Sequence, residues 1–145
     1  MSFEIIVASN APLVSEKDIE KVAKEFLTQI GYISKGSEPT IPLKLFLDCF
    51  LKRLDKAWLV DELALELNTS RPTVYRHLNK LKRYDILEEL PVESENLKKK
   101  AYRLRYSNIS KAWNFAEAHA KVALENYRKT VEHLQELVEL YRKGK

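Results

Sequence analysis

Apolar residues recur at helical spacing along most of the chain and alternate in two short stretches. Ile19, Val22, Ala23, Phe26 and Ile30 follow a 3.6-residue period, and Gly31 is placed to stop that helix. Ser15 with Asp18 three residues on resembles a capping box at its start. A second helix is expected from about Thr40, with Pro42 where a missing amide costs little. Its stripe is Leu43, Phe46, Leu47, Phe50, Leu51 and Leu54, and Asp55 with Lys56 marks the break. Residues 59–67 form a short third helix, Asn68 and Thr69 turn the chain, and Ser70 is placed to cap a fourth helix. That helix carries Pro72 in its first turn and runs to about Tyr84. Ahead of all these, Phe3, Ile5, Ile6 and Val7 suit a short strand.

The alternating stretches are residues 86–92 and 99–106. In the second, Tyr102, Leu104 and Tyr106 share one face while Arg103 and Arg105 share the other. Residues 91–96 between them are turn-like, so the pair is expected to form a hairpin. After a break at 107–110, residues 111–143 contain no Pro or Gly. Here Trp113, Glu117, Ala120, Leu124, Tyr127, Val131, Leu134, Val138 and Tyr141 alternate by four and three, and all but Glu117 are apolar. This is the seam of a coiled coil. A chain this small has little surface to cover a helix of about 50 Å, so the seam is expected between two copies. Packing against the helix at 19–30 is the intramolecular alternative.

The stretch most informative about chemistry is the helix at 70–83. On a helical wheel Val74, Leu78 and Leu81 fall within a narrow arc facing the core, flanked by Tyr75 and Lys82. The opposite face collects Thr73, Arg76, Asn79, Lys80 and Arg83. Arg can grip two acceptors on guanine and Asn can pair with adenine, so such a face suits a major groove. Ser70 and the first backbone amides could hold a phosphate. The bland alternative is a solvated charged face.

Residues 63–81, LALELNTSRPTVYRHLNKL, resemble the helix-turn-helix of winged-helix transcription regulators of the ArsR/MarR kind. Tyr84-Asp85-Ile86-Leu87-Glu88 matches the passage from recognition helix to first wing strand in that family, and residues 99–104, KKAYRL, resemble the second wing strand. Asn68 stands where the turn often has Gly, and Asn tolerates the left-handed conformation required there. The resemblance covers about residues 41–106. It implies a winged helix at 41–106; with the helices read from periodicity, the chain is expected to be mainly α with a small β-hairpin wing (α+β), with an extension at 1–40 and a dimerisation helix at 107–145. It further implies that Arg71, Thr73, Arg76, Asn79 and Lys80 read double-stranded DNA and that Lys98, Lys99 and Lys100 are wing contacts.

Composition sharpens this in a few places. The 145 residues suit one domain with an added arm. Of a net charge of +4, residues 71–105 hold ten basic against five acidic side chains, a cluster suited to a polyanion. Glu93 and Glu95 near the hairpin tip work against tight wing binding. Cys49 alone supports neither a disulfide nor a multi-Cys zinc site. His119 and His133 lie about 21 Å apart along one helix and cannot share an ion, so neither metal nor cofactor is expected. No catalytic motif is present, and no apolar run is long enough to span a bilayer. The first ten residues hold no Lys or Arg and lack the basic start of a signal peptide, so a cytoplasmic protein is expected. Phe26, Tyr32, Trp113 and Phe115 either pack the core or line a pocket for an unidentified effector. A different class of function remains open: a winged-helix module that binds another protein of the transcription or chromatin machinery.

Overall fold

The computed structural model describes residues 12–34 and 36–144. The strand expected at residues 3–7 lies outside them. The first helix, α1, spans Ile19–Gln29. Its N-cap is Asp18, which accepts from the Glu20 amide, so Ser15 does not cap the helix as expected. Asp18 wins because it sits one residue before the first helical turn. The second helix, α2, spans Thr40–Lys44 and runs on as a π-helix over Leu45–Leu51. Five of the seven residues in that wider turn are buried: Leu45, Phe46, Leu47, Cys49 and Phe50.

The break after it holds a short strand that the periodicity did not reveal. Strand β1, Trp58–Leu59, precedes α3 at Val60–Glu66. Two residues are too few to show alternation, and here Trp58 pairs with Tyr102 and Leu59 with Ala101. Helix α4 is Arg71–Lys82, followed by β2 at Leu87–Ser94 and β3 at Leu97–Leu104. The sheet has the order β1-β3-β2 and is antiparallel throughout. Its hairpin turns at Glu95 and Asn96, both at positive φ, and not across residues 91–96 as expected. Two successive left-handed residues match the twist of a two-residue turn, so Pro91 and Val92 are free to pair with Lys100 and Lys99. Tyr106 leaves the strand at φ 61 inside a short 3-10 turn, Arg105–Ser107, and so lies outside the face of Tyr102 and Leu104. Helix α5, Ile109–Lys143, is capped by Asn108.

One apolar cluster joins these elements. Leu27, Leu45, Leu63, Val74, Leu78, Leu81, Ile86 and Leu104 are all fully buried within it. Each such side chain stabilises the fold by about 1.5–3 kcal/mol relative to exposure. Ala23 and Leu27 of α1, with Ile30, Tyr32 and Ile33 just after it, belong to the same cluster. Phe26 meets Trp113 edge-on at 5.4 Å, which ties α1 to the base of α5. Among the described residues beyond Ala120 only Ala123 is partly covered, so most of α5 projects away from the other described elements.

Candidate nucleic-acid interface

The local chemistry of residues 67–83 fixes how α4 is presented. Asn68 adopts φ 50, the left-handed turn position between α3 and α4. Ser70 sits in extended conformation and its Oγ accepts from the Thr73 amide at 3.3 Å. It also donates to Thr73 Oγ1 at 3.0 Å, so both hydroxyls are engaged in the cap. Val74, Leu78 and Leu81 then point inward with no solvent exposure, as the wheel predicts. Two tyrosines hold the back of the helix. Tyr32 donates to the His77 carbonyl at 3.1 Å, and Tyr84, past the C-terminus of α4, donates to the Ile30 carbonyl at 3.0 Å. Burial raises the Tyr32 pKa well above its ordinary value and keeps the hydroxyl a donor. Both bonds run to the segment after α1, which thereby fixes the pose of α4.

The outward face of α4 is uncovered by the described chain. Arg71, Arg76, Asn79 and Arg83 are exposed, while Thr73 and Lys80 are half-buried. The Lys80 ammonium rests over the Tyr32 ring at 5.6 Å. Arg76 reaches His77 Nε2 at 3.5 Å, a contact too long to restrain it. His77 has a pKa below its ordinary 6.5, first through burial and then through the cations Arg76 and Lys80. Tyr75, 42% exposed, lies on the open side of α4, although the wheel assigned it only to the flank of the core face.

The wing lysines differ among themselves. Lys98 and Lys100 are exposed and Lys99 is half-buried. Lys99 lies 3.7 Å from Asp61 of α3, and Arg71 reaches the other oxygen of that carboxylate at 2.9 Å. Lys100 lies 3.8 Å from Glu89 of β2, which also accepts from Lys82 of α4. The Glu89 pKa falls below the ordinary carboxylate value, chiefly through the hydrogen bond from Lys82. Between the start of α4 and the wing lies a cleft of about 370 Å³ lined by Asp61, Arg71, Tyr75, Lys99, Lys100 and Tyr102. Asp61 carried no sequence signal for this role, because its partners stand 10 and 38 positions away. The wing arginines are structural: Arg103 pairs with Glu88, and Arg105 holds Asp85 at 2.8 Å.

The seam on α5 divides into two parts. Trp113 packs half-buried against Phe26 within the protomer, and Ala120 is also half-buried. Leu124, Tyr127, Val131, Leu134, Val138 and Tyr141 are 40–65% exposed. Within the protomer Trp113 of α5 meets Phe26 of α1, while Ile109 and Ala112 pack on the core cluster. Among the described residues no His, Cys, Asp or Glu group is arranged to hold a metal, and none of the helices is long and apolar enough to cross a membrane. Cys49 is buried, and burial pushes its thiol up to about 12.

Residues 50–89 match a helix-turn-helix domain family. A solved structure of a possible transcriptional regulator from Methanosarcina mazei Go1 is similar, at 20% identity and a TM-score of 0.47, over 88% of this chain and 97% of that chain. No curated protein matches the chain. The family match covers α3, the turn and α4 and ends inside β2. The antiparallel hairpin completed by β3, with β1 on its far side, makes the motif the winged form. Residues 50–89 therefore carry a helix-turn-helix, and the hairpin that follows gives the fold the winged form.

Proposed function

We propose that this protein is a sequence-specific regulator of transcription that binds double-stranded DNA as a homodimer. The observation that carries the reading is the open face of α4, where Arg76 and Asn79 stand exposed on a helix whose other side is locked into the core. Guanidinium and carboxamide groups are the side chains that distinguish guanine and adenine in the major groove. Thr73 and Arg83 flank them on the same helix. Ser70 is engaged with Thr73 in the cap and Pro72 has no amide hydrogen, so a phosphate at the start of α4 would be met chiefly by Arg71, and Lys98 would extend the contact from the wing.

Two copies would meet along residues 121–143 of α5. That rod is about 35 Å long, and its seam exposes six large apolar residues in register. A two-fold dimer demands a two-fold DNA site, with half-sites about 34 Å apart or a multiple of that. Affinity would come mainly from Lys and Arg on phosphates and would fall steeply with salt.

Selection of bound duplexes from a random pool tests the reading. The expected result is a short motif repeated with two-fold symmetry, and an unenriched pool overturns it. A protein-binding role is favoured by one observation: Asp61 and Glu89 already occupy three of the cations assigned to DNA, Arg71, Lys99 and Lys100. That role predicts no duplex binding even at low salt.

A further inference from the structure

The two carboxylates stand in matching positions. Asp61 joins Arg71, at the start of α4, to Lys99 of β3. Glu89 joins Lys82, at the end of α4, to Lys100 of β3. Each therefore ties one end of the recognition helix to the wing, and each sits among cations that would otherwise reach a DNA backbone. We propose that Asp61 and Glu89 are specificity-determining residues, clasping these cations so that phosphate contact alone does not hold the protein on DNA. The inference rests on the DNA-binding reading above.

Arg76 and Asn79, the residues suited to bases, lie outside both clasps; no ion pair joins Arg76 to an acid among the described residues. Phosphate contacts add affinity for every sequence, whereas base contacts add it for one. Withholding Arg71, Lys82, Lys99 and Lys100 from phosphates thus lowers random binding and leaves the base contacts as the main source of affinity. The clasps are open to solvent, with the Asp61 side chain 47% and the Glu89 side chain 37% exposed. They can open on a cognate site, where base contacts seat α4 deeper in the groove and bring phosphates within reach of the same cations. The cleft between α4 and the wing gives Arg71 and Lys99 room for that movement.

Neutralising one carboxylate frees two cations, and each new phosphate contact adds about 0.9 to the slope of log K against log salt. Asp61→Asn should therefore steepen the slope on random duplex by about 1.8 and tighten binding about tenfold near 0.1 M salt. Glu89→Gln should act in the same direction and by less, because the Lys82 side chain is only 22% exposed. Glu93→Gln is the control: it removes the same charge near the wing tip, opposite Lys98, without bridging two cations among the described residues, so any gain should be smaller and equal on both duplexes. The full chain and the three variants are compared by fluorescence anisotropy on random duplex and on a selected duplex across a salt series. The expected result is a lowered ratio of selected to random affinity in Asp61→Asn and Glu89→Gln alone. Wild type that binds both duplexes, with Asp61→Asn and Glu89→Gln unchanged or weaker, overturns the clasp and leaves the DNA reading standing. An equal gain in Glu93→Gln also overturns it, since net charge would then suffice. Failure of every protein to bind duplex at low salt overturns both.

Discussion

Leu134→Ala separates the dimer from the fold of the protomer. Leu134 lies on the projecting part of α5 and is 59% exposed in the single chain. Burying a leucine fully stabilises by about 1.5–3 kcal/mol, so covering the exposed share contributes about 1–2 kcal/mol. The residue occurs twice in a two-fold dimer, so the variant should weaken the pair by about 2–4 kcal/mol. This corresponds to a dissociation constant raised about 30- to 1,000-fold. Alanine is the strongest helix former and Leu134 touches no core residue, so the protomer should keep its helix and its fold. Sedimentation equilibrium over a concentration series reads the association, and circular dichroism reads the helix. Lys129→Ala, off the seam, should leave the association unchanged. A wild-type chain that sediments as a monomer at tens of micromolar, or a Leu134→Ala variant that associates as tightly as wild type, refutes the reasoning.

Arg76→Ala should cost about 1–3 kcal/mol on a selected duplex and relax base preference at one position, while Lys98→Ala weakens all sequences alike and lowers the salt slope by about 0.9; anisotropy titrations on matched and mismatched duplexes separate the two. Asn68 holds φ 50, so Asn68→Val should destabilise by about 1–2 kcal/mol while Asn68→Gly stays near wild type, as read by urea unfolding. His77 has a folded pKa below 6.5, so the unfolded chain takes up more protons as acidity rises. Its contribution is fully present above the unfolded value and is lost as pH falls from about 6.5 towards the folded value. His77→Gln should remove that part of the slope in unfolding free energy between pH 7.5 and 5.5, and an unchanged slope assigns the dependence to other groups.

Much of the fold was legible where periodicity was long. Val74, Leu78 and Leu81 were placed on the buried face of α4 from spacing alone, and burial of all three in the structure follows from that arc. Asn68 was legible for a different reason: few residues tolerate a left-handed turn, and its position in the motif requires one. Strand β1 was not, because two residues show no alternation and their partner lies more than 40 positions away. The hairpin turn was misplaced since Pro91 suggests a turn, yet on β2 it pairs with Lys100 as part of a two-stranded wing edge. At the candidate site the cations were visible as residue types, but the carboxylates that engage them were not. Asp61 and Glu89 act through contacts between elements, and charge patterning along one helix carries no information about those. Trp113 fits both a seam and a core in sequence, and within the protomer its ring packs edge-on against Phe26.

The most direct test of the central claim is a chemical-shift titration of the full chain with a selected duplex. Perturbations concentrated on the backbone and side chains of residues 70–83, with a second set at 97–100, are the predicted result. Shifts confined to α1 or to the projecting end of α5, with Arg76 and Asn79 unmoved at saturation, would contradict it.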